Sequence, residues 1–332
     1  LTYSASDCTL IMEMLCSIHK MPLTDFRDCV CDALYSLPYN KYMLCVKIEM
    51  NLPFQSPTDG FIVTADLIVF LSSLASLETP EIPILIECSF SQDCTNLWNK
   101  MKKEINAHLE VVLLVAIVIT ELPGYCSPEE DSEAWKQFIQ ENMCHNTKSF
   151  LGLKDHCTAT EAQSLCIKVA GHVWCNVASA DWFVRVKDGI DHKINIDCMH
   201  KMHGTLFPSI EMEEVTEMVT LGLSKARDAI VSFSWSLNPS TSMMELENTT
   251  ISFSVDWKLI QLSLVSTAGL TAHDQYQKWY QQQFHGQKCP HPSDEEYKAS
   301  GSDLGSDVSS TRPFLTCTVT MPVCTHSKKA AR

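Results

Sequence analysis

Two acidic residues stand where the sequence is otherwise committed to a buried interior. Asp66 interrupts Val63-Thr64-Ala65-Asp66-Leu67-Ile68-Val69-Phe70, and Glu87 interrupts Ile84-Leu85-Ile86-Glu87-Cys88-Ser89-Phe90. A carboxylate taken out of water is costly unless it gains a hydrogen-bonding partner, a cation or a metal. Both segments read as strands. A strand sends alternate side chains to one face, so Glu87 and Ser89 point away from Ile84, Ile86 and Cys88. If the two strands pair, the carboxylates converge. Two converging carboxylates suit Mg²⁺, or Mn²⁺ in its place: a hard ion takes one or two carboxylates from the protein, keeps several waters and grips substrate phosphate. Such an ion polarises a phosphodiester and lowers the pKa of an attacking water. The bland alternatives are a turn cap or backbone acceptor at Asp66, and a pair between Glu87 and Lys47 on a neighbouring strand.

The elements that must position these acids are legible in the apolar pattern. Thr24 is placed to cap a helix over 24–37, with Phe26, Val30, Ala33, Leu34 and Leu37 on one face and Pro38 as its stop. Residues 42–51 alternate as a strand, with Leu44, Val46 and Ile48 on one face. Strands follow over 61–71 and 82–90, then a helix over 96–108 and a buried strand over 111–120. The order is helix, three strands, helix, strand. Short loops make the first three strands an antiparallel meander, and the helix makes the last strand a parallel crossover. Residues 1–21 carry apolar positions without clear caps and read as helix. Beyond a Pro/Gly/acid linker at 122–131, the pattern predicts a helix over 131–142 and a second sheet region with strands at 161–170, 172–178 and 182–186. Helix is predicted over 210–224 and 227–230, a strand at 251–255, and a helix at 272–284. The domain expectation is an uncertain segment 1–21, a core 22–121, an α+β extension 122–286 packed on it, and a tail 287–332. That tail is too rich in Ser, Asp, Pro, Gly and Thr to bury a core and is expected to be disordered.

An aspartate in an apolar strand, an acid–x–lysine triplet in the next, then a helix and another strand form the signature of the PD-(D/E)xK (restriction-endonuclease-like) superfamily. Residues 41–120 resemble it: Thr64-Ala65-Asp66 stands at the Pro-Asp position, and Glu87-Cys88-Ser89 at the acid–x–lysine position. The segment Glu87-Cys88-Ser89-Phe90-Ser91-Gln92 is also similar to a branch found in uncharacterised fungal proteins, itself degenerate at the lysine. The likeness extends loosely through Gly171-His172-Val173-Trp174-Cys175 and Thr271-Ala272-His273-Asp274-Gln275-Tyr276. The resemblance implies an α/β fold with a restriction-endonuclease-like core (helix, three-strand meander, helix, strand) and a second α+β half. It also implies Mg²⁺-dependent cleavage of nucleic acid, with Asp66 and Glu87 as metal ligands and Gln92 as a site-wall residue. The departure is Ser89, whose hydroxyl carries no charge and cannot replace the family's lysine, which helps place or activate the water. Some members carry that lysine on the following helix. Here Gln92, Asn96, Lys100 and Lys103 share one helix face, so Lys100 or Lys103 could reach back; a solvated face is the competing reading.

Composition bounds the rest. The chain has 332 residues, 45% hydrophobic and 20% charged, enough for one large domain or two smaller ones. Its net charge of −15 repels a polyanion, so contact with nucleic acid requires a local basic patch. The 16 cysteines are scattered, and Cys45, Cys88, Cys166 and Cys175 sit in apolar runs, which fits buried thiols in a reducing compartment. No basic segment leads into an apolar stretch near residue 1, so no secretory leader is expected. The longest apolar run, 111–119, is far short of the ~20 residues of a membrane span. The expectation is an intracellular protein, cytoplasmic or nuclear, with no membrane segment; the oligomeric state has no signature. Asn248-Thr249-Thr250 matches a glycosylation sequon that carries no meaning inside a cell. There is no phosphate-cradling glycine loop and no Gly-x-Ser-x-Gly elbow. Cys198, His200 and His203, with His192 nearby, match no standard zinc spacing. Cys29 and Cys31 read as core filling, and His172 and Cys175 as buried strand residues. Trp279 and Tyr280, near Tyr276, read as core or as a base-stacking pair. The basic cluster at 328–332 is too short for a nuclear address. Two functions fit: a Mg²⁺-dependent nuclease or its relic, and a non-catalytic protein that keeps the fold for interaction.

Overall fold

The computed structural model describes residues 2–4, 9–11, 16–55, 62–73, 80–90, 94–141, 143–155, 165–189, 192–197 and 202–283. Its frame is one mixed sheet. Strands β1 (Thr2–Ser4) and β2 (Thr9–Ile11) precede helix α1 (Ser17–Tyr35), so the helix expected over 1–21 is replaced by two short strands and an earlier helix start. Thr24 therefore does not cap α1; its hydroxyl donates to the Lys20 carbonyl at 3.0 Å, one turn back. The true start is tied down by tertiary structure: the Ile18 amide donates to Thr271 Oγ1 from the far end of the chain. A helix N-terminus needs acceptors for its free amides, and no local pattern encodes one supplied from 253 residues away.

Next come β3 (Leu44–Gln55), β4 (Ile62–Ser73), β5 (Glu81–Phe90), α2 (Cys94–Ala107) and β6 (Leu113–Glu121). β3 pairs antiparallel with β4, β4 antiparallel with β5, and β5 parallel with β6 from Ile84↔Leu113 to Phe90↔Ile119. The meander and the parallel crossover thus stand in the expected order. Helices α3 (Glu133–Glu141) and α4 (Thr147–Gly152) lead into β7 (Leu165–Val169) and β8 (His172–Val186). β8 pairs antiparallel with β6 along Leu113↔Val186 to Glu121↔Val177, so these strands extend the same sheet rather than build a second one. The two strands expected at 172–178 and 182–186 are one. β9 (Met202–Phe207) pairs with β8, and α5 (Glu213–Leu237), α6 (Met244–Asn248) and α7 (Trp257–Gln283) follow. α5 merges two expected helices, α7 begins well before its expected start, and 251–255 carries no regular element. The described strands form a nine-stranded sheet in which the path β2-β1-β4-β5-β6-β8-β7 is joined by β3 on β4 and β9 on β8.

The sheet has a core on each face. Leu67, Val69, Ile84, Ile86, Leu113 and Val115 pack with residues of α1, α5 and α7, whereas Ile68, Leu85, Leu114 and Ala116 pack with Leu97, Met101 and Ile105 of α2. Strands covered on both faces read as continuous apolar runs, which is why β5 and β6 show no alternation in sequence. Tyr276, Trp279 and Tyr280 are buried with Phe138, Phe150 and Trp174, so they are core. Cys29 and Cys31 are only half-buried and do not fill the core. Cys144 is disulfide-bonded, unlike the buried thiols Cys88 and Cys175. Among the described residues, no helix is long and apolar enough to cross a membrane.

Candidate active site

The β4–β5 ladder runs from Leu67↔Ile86 toward Leu71↔Glu81. One step beyond Leu67↔Ile86 stand Asp66 and Glu87. There the Asp66 side chain takes over from the ladder: its Oδ2 accepts the Cys88 amide at 2.8 Å. Asp66 is 2% exposed and Glu87 1%, so both charges must be balanced by protein groups.

Each acid has its own cation, from a helix on each side of the sheet. His19, in the first turn of α1, places Nε2 3.3 Å from Asp66 Oδ2 and donates from the same nitrogen to the Cys88 carbonyl at 2.8 Å. Burial alone would depress the His19 pKa, but the Cys88 sulfur and the Asp66 carboxylate override it and push it up to about 12. Burial also raises the Cys88 thiol, so at neutral pH the acting partner is Asp66. Burial would raise the Asp66 pKa; His19, Lys100 and the Cys88 amide outweigh it and hold the carboxyl below the usual range.

On the opposite face, Lys100 of α2 donates to Glu87 Oε2 at 2.7 Å. Burial raises the Glu87 pKa well above its usual value. The adjoining Glu104 carboxyl raises it further, while Lys100 pulls the other way. A hydrogen bond between Glu87 and Glu104 requires a proton between them. Apart from such a shared proton, Glu87 Oε1 has no donor among the described residues. Ser89 Oγ and His19 Nδ1 are likewise buried without a hydrogen-bond partner.

Of the residues singled out in the sequence, Asp66, Glu87, Ser89 and Lys100 come together here. Glu87 senses the charge of Asp66, and Asp66 that of Lys100. Lys103, three residues on, is exposed on α2. Gln92 lies outside the described residues, as do Cys198 and His200 of the cysteine–histidine group. His203 instead faces Asp181, with 3.3 Å between Nε2 and Oδ1. Lys47 lies on β3 opposite Phe70, and Glu87 takes Lys100 instead. His172 is half-buried, with Nε2 3.0 Å from the Cys126 carbonyl oxygen, whereas Cys175 is fully buried. His19 and Glu104 were not singled out, although a signal existed for each. Glu104 interrupts the buried stripe Leu97, Met101, Ile105, and His19 lies beside the buried positions Ile18, Pro22 and Leu23. These are the same interruptions of an apolar pattern that exposed Asp66 and Glu87.

Chemically, the donor set suits an ion that takes two carboxylates and keeps its waters. Among the described residues, Glu87 Oε1 is buried with no donor other than a shared proton. Among the described residues no group of three or more His, Cys, Asp or Glu is placed to hold a metal, so a closed zinc-type cage is not built here. Comparison with protein-family models, with curated proteins and with solved structures finds no match to this chain.

Proposed function

We propose that this chain is a phosphodiesterase acting on nucleic acid, of the restriction-endonuclease-like type, in which the lysine has moved from the strand to the following helix. The observation that carries this reading is the 2.7 Å contact from Lys100 to Glu87, beside the buried Ser89 that stands at the usual lysine position. Asp66 and Glu87 would hold Mg²⁺ or Mn²⁺, which when bound supplies Lewis-acid polarisation and a more acidic water. The chain's own residues do the rest. The Lys100 ammonium sits where it can orient a water against Glu87. His19 fixes the Asp66 carboxylate by holding one of its oxygens, and Glu104 gives Glu87 a place to share a proton. The element order of α1, β3, β4, β5, α2 and β6 is the one the resemblance implies.

A second reading rests on the same contacts. Each carboxylate already has a cation, so the cluster can stand as a buried polar network in a protein that binds a partner without cleaving it. Calorimetric titration with Mn²⁺ and cleavage assays on single- and double-stranded oligonucleotides separate the two. The nuclease reading expects binding and cleavage in the wild type, both lost in Asp66→Ala, and cleavage lost in Lys100→Met. Absence of both in a folded wild-type protein supports the non-catalytic reading and ends the first.

A further inference from the structure

The cavities at the surface differ in charge. One of about 300 Å³ near β9 is lined by Glu211, Glu213 and Glu214, and repels an anion. Along the outer flank of α2 lies a groove of the opposite character. Two adjoining cavities, of about 480 and 370 Å³, share Lys102, Ile196 and Asp197 and run beside the helix from Cys94 to Asn106. Among the described residues that line them, the only acid, Asp197, is paired with Lys102 at 2.7 Å. Lys193 donates to the neutral Asn106 amide oxygen at 2.6 Å rather than to a carboxylate, and His192 stands beside it, exposed. The remaining polar lining includes the carboxamides Asn99 and Asn195 and the hydroxyl of Thr95, and the half-buried indole of Trp98 lies at the Cys94 end. On a chain of net charge −15, a groove whose described lining holds two lysines, one facing an acid and the other a carboxamide, is a local exception.

We propose that this groove binds a segment of single-stranded nucleic acid. This deepens the nuclease reading and rests on it for its biological setting. Amines answer the phosphates, carboxamides offer both donors and acceptors to base edges, and an indole offers a stacking face; that combination fits an unpaired strand. The volumes are of the order of single nucleotides rather than of a duplex. The helix that forms the groove's inner wall also sends Lys100 to Glu87, so a strand lying along α2 is held to the element that carries the proposed catalytic amine.

The test is fluorescence anisotropy in EDTA, with labelled single strands of about 12 nucleotides, DNA and RNA, and a duplex of the same sequence. Lys193→Glu is the variant; the residue is exposed, so folding is expected to survive and is checked by circular dichroism. The wild type is expected to bind a single strand more tightly than the duplex. The variant is expected to bind about tenfold more weakly, with the slope of log Kd against log salt reduced by about one. Single-strand binding unchanged by Lys193→Glu, or a preference for the duplex, overturns the groove assignment while leaving Asp66-dependent cleavage intact. Weakened binding without any cleavage supports the groove and overturns hydrolysis instead. If the wild type binds no oligonucleotide, the groove assignment falls with no bearing on metal binding.

Discussion

Replacing Lys100 with methionine keeps most of the side-chain stem and deletes the charge that faces Glu87. The lost attraction can be sized from the contact. At 2.7 Å between nitrogen and oxygen, the charge centres are about 4 Å apart, worth about 4 kcal/mol at the effective dielectric of about 20 that suits such sites. Glu87 is 1% exposed and Lys100 12%, so solvent screens little of it. The protein has an escape, because Glu87 can take up a proton, at a cost of about 1.4 kcal/mol for each unit by which pH exceeds its pKa. Its folded pKa is already raised, by burial first and then by Glu104. A carboxyl raised on folding contributes stability that is complete below its unfolded value, near 4.5, and is lost as pH climbs through the folded value. Removing Lys100 raises that folded value further. The variant is therefore expected to match the wild type near pH 5 and to lose about 3 kcal/mol near pH 8, about 6 °C in melting temperature for a unit of this size. Thermal melts at the two pH values read this directly. A loss that is the same at pH 5 and pH 8, or no loss at either, would refute the coupling between Lys100 and Glu87.

The other expectations concern neighbouring parts of the same frame. His19→Phe leaves Asp66 with the Cys88 amide and the more distant charge of Lys100, and should cost about 3 kcal/mol at neutral pH. The wild type's own gain from His19, raised to about 12, is complete below pH 6.5 and fades above it, so the gap between the two proteins should narrow in alkaline melts; a gap that widens would contradict the ion pair. Gly222→Ala forces a methyl group of α5 to within 2.5 Å of Leu113 Cδ1 and 3.0 Å of its Cβ on β6. That should cost about 2 kcal/mol, and an unchanged melting temperature would show that α5 and β6 are less tightly packed than the structure has them.

The stretch from Leu44 to Glu121 was readable because its residues answer to local rules. Apolar runs bounded by turn residues gave β3, β4, β5 and β6, and the longer periodic stretch between β5 and β6 gave α2. Boundaries failed where a distant group decided them. α1 starts at Ser17 because Thr271 caps it, and no pattern near residue 17 announces a partner on α7. The strands after residue 160 looked like a separate sheet because pairing across sequence distance leaves no trace in either strand's own periodicity. β8 finds β6, and a single fifteen-residue strand replaces two. The segment 251–255 has the β-branched and aromatic content of a strand but finds no ladder partner among the described residues, and strand propensity without a neighbour forms nothing.

What the amino-acid sequence determined alone is chemical: two acids placed inside apolar strands, a serine two residues after the second of them, and lysines at helical spacing on the next element. Such facts depend on residue identity and on periods of two and 3.6, which are properties of a few consecutive residues. Which cation serves which acid was decided only in three dimensions. Lys100 rather than Lys103 reaches Glu87 because the turn of α2 aims one inward and the other toward the exposed side of the helix. His19 meets Asp66 because α1 crosses the sheet where the β4–β5 ladder gives way to a side chain. Both are consequences of packing two layers on one sheet, where the geometry of each contact is set by every element around it.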